Sequence, residues 1–156
     1  MMKKFIPLAI LLIVLSISGL LMFSASIEDG KFQKALEEFL SEYWKFYPTA
    51  ATLASYHSYD NKLEDFSEKS LEKYHEVLDN SNQEFVAKID KTRLSSEVLI
   101  DYEIMIDVMD MELLKVENLV PWEYNPLTYN QIFINCIKSL FSKEFAPLNE
   151  RAKNAA

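Results

Sequence analysis

The sequence predicts an all-α fold, a multi-helix antiparallel bundle, and three observations carry that prediction. From Phe32 onward apolar residues recur at steps of three and four, the spacing that gathers them on one side of a helix. The only glycines are Gly19 and Gly30, whereas the tight hairpins of sheet-rich folds call for Gly where φ is positive. Serine or proline stands at the edges of the periodic stretches, and these are residue types that cap or break helices. With 49% hydrophobic and 13% aromatic residues, the 156-residue chain has ample material for one buried core.

The first 26 residues, MMKKFIPLAILLIVLSISGLLMFSAS, have the layout of an export signal: Lys3 and Lys4, an apolar run from Phe5 to Phe23, then small residues. Cleavage after Ser26 would set Ser24 and Ser26 at the small-residue positions. The run of 19 is also long enough to span a bilayer, for which about 20 apolar residues suffice, so an uncleaved anchor is the alternative. Leu20 occupies the place of a lipid-bearing Cys, which excludes lipidation there. The expected division is residues 1–26 as signal peptide or membrane anchor and 27–156 as a helical domain outside the cytoplasm, secreted or membrane-anchored.

The first helix of that domain carries Phe32, Leu36, Phe39, Leu40, Tyr43 and Tyr47 on one stripe, with Glu37, Glu38, Glu42 and Lys45 opposite. Pro48 biases Tyr47 away from helical geometry, so a bend or stop is predicted there, with Pro48 in the first turn of a new helix. Ala50, Ala51, Leu53 and Ala54 then give a small-residue face that lets another helix approach. After a turn at Asp60-Asn61, Ser67 caps a helix from Glu68 whose inner side holds Leu71, Tyr74, Leu78, Phe85 and Ile89. Asp79-Asn80-Ser81-Asn82 predicts a kink or split near residue 80. Ser95 or Ser96 caps the spine helix, 97–119, with Val98, Tyr102, Met105, Met109, Leu113 and Val116 buried. Pro121 ends it, PWEYNPL is an ordered loop with Trp122 packed back on the bundle, and a helix over 128–143 follows with Ile132, Phe133, Cys136, Ile137, Leu140 and Phe141. Pro147 opens a last helix of about ten residues, too short to hold by itself in water.

Three stretches resemble one known family. Glu42-Tyr43-Trp44-Lys45-Phe46-Tyr47-Pro48-Thr49-Ala50-Ala51-Thr52, with His57-Ser58-Tyr59-Asp60-Asn61-Lys62-Leu63, is similar to the opening of the bacterial and archaeal domain of unknown function 885 family. Leu94-Ser95-Ser96-Glu97 with Ile100-Asp101-Tyr102-Glu103-Ile104 resembles its second signature, and Pro121-Trp122-Glu123-Tyr124-Asn125-Pro126-Leu127-Thr128-Tyr129 its third. The family resembles mainly helical zinc-dependent peptidases several times this length, with a His-Glu-x-x-Pro-Gly-His type motif far beyond the matched region. The resemblance therefore implies the N-terminal fragment of a larger helical domain, one wall of a peptide-substrate cleft. Its partner would be the C-terminal remainder of the same protein, which would carry the zinc, and this chain alone would be inactive. A complete small secreted or membrane-anchored helical protein, binding a partner through the aromatic corner without catalysis, is the alternative.

From Ile27 onward 14 basic residues face 24 acidic ones, a balance that argues against nucleic acid as a partner. The lack of Gly beyond residue 30 excludes phosphate loops, dinucleotide fingerprints and a Gly-x-Ser-x-Gly nucleophile. Glu72-x-x-His75 has the spacing of a di-metal bundle pair, but such sites need a second pair and His57 has Ala54 three residues before it. His75-Glu76 begins like a zinc-protease helix but puts Asp79 where the second His belongs. Glu103, Asp107, Asp110 and Glu117 make an acidic side of the spine helix, read as a solvated face that Lys143, Arg93 or a later segment could neutralise. His57 is read as a capping or hydrogen-bonding residue at the corner, and the single cysteine, Cys136, as a buried, inert thiol. No catalytic, cofactor-binding or metal residue is assigned.

Overall fold

The computed structural model describes residues 27–155, so the expected signal or anchor segment lies outside the described residues. Among these there are seven α-helices, two short 3₁₀ turns (His57–Tyr59 and Lys91–Arg93) and one π-type turn after the fourth helix, and there is no strand. The α-helices are α1 (27–46), α2 (Pro48–Leu53), α3 (Glu68–Lys88), α4 (Ser96–Leu114), α5 (Pro121–Tyr124), α6 (Pro126–Ser142) and α7 (Leu148–Asn154). No described helix is long and apolar enough to cross a membrane.

The core lies among α1, α3 and α4. Phe32, near the start of α1, meets the edge of Phe85 near the end of α3, while Phe46 at the end of α1 stacks at 3.8 Å on Tyr74 near the start of α3. These two helices are therefore antiparallel. Phe85 also stacks on Tyr102 at the start of α4, which turns the chain a second time. Phe32, Phe39, Leu78, Phe85 and Met109 are each at most 2% exposed, and the predicted stripe residues Leu36, Leu40, Tyr43, Val98, Met105, Leu113 and Val116 pack around them. Phe46 lay outside the predicted stripe; it is buried because α1 ends at that residue and its ring reaches sideways onto α3.

The corner forms as Pro48 dictates. Tyr47 alone leaves helical geometry, at φ −114° and ψ 66°, and Pro48 occupies the first position of α2. At the far end of α2 the Tyr56 N–H donates to the Ala51 carbonyl at 2.8 Å and the Ser55 N–H to that of Thr52 at 3.1 Å. This is a Schellman closure, with Ser55 at φ 66° where glycine is usual. α2 packs on α6, but of the predicted small-residue face only Ala51 is fully buried: Leu53 and Ala54 are exposed, and the buried side of α2 is completed by Pro48, Thr49 and Thr52.

Three expectations need correction. α3 runs unbroken from Glu68 to Lys88, capped by Ser67 but with no interruption at residue 80. Asn82 instead donates to Asp110 on α4 at 2.8 Å and Gln83 to Asp79 at 3.0 Å, so these side chains do not compete for the helix backbone. Leu78 and Phe85 on either side of that segment anchor it in the core. The PWEYNPL segment is no loop: Pro121 and Pro126 each begin a helix, and the Asn125 side chain accepts from the Leu127 N–H, starting α6 at residue 126. The expected Ser cap on α4 is made differently as well. Ser95 stands at the cap position without using its hydroxyl, and its own N–H donates to Asp29 of α1 at 2.9 Å.

Beyond Leu114 the α4 helix widens into a π-type turn, Lys115–Leu119, before Val120 at φ 27° and Pro121. Trp122 stacks on Phe66 at 5.0 Å, as its predicted packing requires. Arg151 of α7 is buried and donates to the carbonyls of Leu140 and Ala146, both at 2.7 Å, tying α7 to the end of α6.

Candidate functional site

Polar groups gather in three places. At the corner, Asp60 is 5% exposed and accepts from the Thr52 hydroxyl at 2.7 Å, while His57 Nδ1 lies 3.1 Å from its other oxygen. The His57 ring stacks on Phe145 at 3.6 Å. This is the hydrogen-bonding role read from the sequence, with a further function: it joins the α2 turn to the segment between α6 and α7. Glu64 accepts from both the hydroxyl and the N–H of Thr49. Cys136 of α6 is half-buried; burial first, then the nearby Glu64 and Asp60 charges, raise its pKa and disfavour the reactive thiolate.

The second place was not foreseen. Glu112 of α4 is 3% exposed and accepts from the hydroxyls of Tyr47 at 2.7 Å and Tyr74 at 3.2 Å, with Lys115 Nζ on its other oxygen. One carboxylate thus draws a side chain from the α1–α2 corner and one from α3 onto α4. Burial raises the pKa of Tyr43 to about 12, with the Glu112 charge adding to it. Burial and then Glu112 push Tyr47 and Tyr74 higher still. All three phenols are held neutral, and Tyr47 and Tyr74 serve as donors. A sequence signal did exist, since Glu112 falls between Met109 and Leu113 on the inner side of α4 and three residues before Lys115.

The acidic side predicted on α4 behaves otherwise. Glu103, Asp107 and Asp110 are exposed, and Asp110 accepts from Asn82. The suggested neutralising groups are used elsewhere, Arg93 on Asp90 and Lys143 on the Leu53 carbonyl.

The third place is an open cleft of about 980 Å³ between the first half of α3 and the π-type turn. Glu72, Glu76, Glu117 and Glu123 are among its lining, Phe66, Trp122 and Tyr129 provide an aromatic wall, and no lysine or arginine lines it. His75 crosses the cleft edge to Glu117, with Nε2 2.7 Å from Oε1. The wider turn carries Glu117 to that position; such turns recur at functional sites.

The residues present do not fit a zinc ion. Each described histidine is paired with a single carboxylate, His57 with Asp60 and His75 with Glu117, and Glu72 joins neither pair. Among the described residues no group of three His, Cys, Asp or Glu is placed to hold a metal. No family model, curated protein or solved structure matches the chain.

Proposed function

We propose that the chain is the N-terminal helical region of an exported protein resembling zinc-dependent peptidases, that it builds one wall of the substrate cleft, and that the zinc chemistry belongs to sequence outside it. The observation that supports this reading is the outer side of α6. Leu127, Ile134 and Phe141 recur at steps of seven on the side that faces away from buried Ser139, and they are 68%, 55% and 46% exposed. A helix with apolar residues on both sides has a second surface to cover. The peptidase-like reading supplies the cover, the C-terminal remainder of the same polypeptide. On this reading the chain alone is catalytically inactive with or without added zinc.

The test is the size of the native polypeptide in its own cell, by immunoblot and intact mass of the extracted protein. A product several times larger than 18.2 kDa supports the reading. A product of 18.2 kDa, or one shortened by residues 1–26, contradicts it and favours a complete helical binding protein. Recovery of the native protein wholly from the cytosol would contradict export.

A further inference from the structure

We infer that the outer side of α4 is a docking surface for a basic amphipathic helix of a partner protein. The inner side of α4 is taken up by the core, through Tyr102 and Met109. On the opposite side Ile100, Ile104, Met111 and Leu114 stand between 42% and 59% exposed. With Asp107 among them they follow one another at steps of four, three, four and three. That alternation is the seam of a coiled coil, whose side chains pack against a facing helix. A surface helix of a small bundle has one apolar side; α4 has two, and the second has the spacing that a partner helix reads.

Charge decides what that helix carries. Between Ser96 and Leu114 there is no Lys, Arg or His. Glu97 and Asp101 border the seam on one side, Glu103 and Asp110 on the other, and Asp107 lies within it. All five are exposed, and none has an ion-pair partner among the described residues. Asp110 accepts a neutral donor, Asn82. Lys91 lines the groove beside Glu103 and Asp107 together with Asp90, and Arg93 is taken by Asp90. A second copy of this chain fits poorly. Two α4 helices paired in register, or antiparallel about the seam centre, set Asp107 against its own counterpart, and α4 brings no basic residue to relieve it. A helix with the same apolar spacing, basic residues along both borders and one facing Asp107 meets every carboxylate with an opposite charge. The inference stands apart from the peptidase-like reading, whose support lies on α6.

The full chain, held in phosphatidylcholine nanodiscs, is titrated calorimetrically with two synthetic three-heptad helices, with empty discs as the blank. Both helices carry Ile and Leu at the seam positions; one has Lys along its borders and at one central seam position, the other has Glu at the same places. The expected result is saturable one-to-one binding of the Lys-bordered helix, about tenfold or more tighter than the Glu-bordered one. Asp101→Lys/Glu103→Lys should weaken the Lys-bordered helix about tenfold and strengthen the Glu-bordered one, a gain that misfolding does not produce. Ile104→Glu weakens both. A Leu127→Gln/Ile134→Gln control, on the outer side of α6, binds like the parent. Equal binding of the two helices, equal loss in the α6 control, or absence of saturable binding overturns the proposal. Crosslinking between two copies of the chain that Ile104→Glu abolishes assigns the surface to self-association and overturns it as well.

Discussion

The α1–α3–α4 core and the α5–α7 end of the molecule draw on similar residue types but hold together differently. In the core, aromatic rings from three helices interlock: Phe32 on Phe85, Phe46 on Tyr74 and Phe85 on Tyr102, with Leu78 and Met109 fully buried. At the other end the buried residues of α6 and α7 are Ser139, Leu140 and Arg151, while Phe133 and Leu148 stay 61% and 58% exposed. There the chain is fastened by hydrogen bonds, from Arg151 to two carbonyls and from Lys143 to the Leu53 carbonyl. Apolar content therefore does not locate a core. What matters is whether a second helix meets the apolar side, and α6 has one apolar side covered by α2 and another that faces solvent.

That contrast can be broken most severely at Phe46. Phe46→Ala is expected to cost about 3–5 kcal/mol, the usual loss for a core aromatic, while Phe133→Ala stays within about 0.5 kcal/mol, as surface changes do. Urea unfolding of both variants checks the difference. Next comes the polar centre of the core. Glu112→Ala leaves two buried tyrosine hydroxyls without their acceptor and should cost about 3 kcal/mol; Glu112→Gln keeps an acceptor oxygen and should cost less. Arg151→Ala should remove about 1–3 kcal/mol through its two carbonyl contacts, but locally, seen as loss of α7 amide protection with little change around Tyr74.

The same tyrosines give the core a predicted pH response. In the folded chain the pKa of Tyr43, Tyr47 and Tyr74 is raised above the ordinary phenol value of 10.0 by burial first and then by the Glu112 charge. Below pH 10 the phenols are neutral in both states and their contribution is intact. As pH rises above 10 the unfolded chain ionises first, so stability falls progressively toward the folded values. Denaturation midpoints measured from pH 8 to 11.5 should show that decline, and a Tyr43→Phe variant should show a shallower one. The smallest expected effect is at the α2 closure. Ser55→Gly relieves the positive φ at that residue and should stabilise by about 0.5–1 kcal/mol.

Much of this fold was legible in the sequence because the core helices repeat apolar residues cleanly and their starts carry strong local signals. The stop before Pro48, the Ser67 cap and the inner residues of α3 and α4 follow from spacing and from the missing proline N–H. The unbroken α3 did not, because polar residues at 79–82 break a helix only when they bond its backbone, and their partners here include Asp110, 28 residues away from Asn82. Glu112 was missed for a related reason. Attention to exposed acidic spacing favoured Glu103, Asp107 and Asp110, while the buried carboxylate is identified by Tyr47 and Tyr74, which are distant in sequence and near only in the folded chain. The cleft combines Trp122, whose packing was foreseen, with a π-type turn for which the sequence has no evident signal.

Amide hydrogen exchange on the full chain tests the contrast between the two regions most directly. Amides around Leu78, Phe85 and Met109 are expected to exchange only through global unfolding, while those of α6 and α7 open at markedly lower free energy. Equal protection of α6 and α3 would contradict it, showing that the exposed apolar side of α6 does not weaken that end of the molecule.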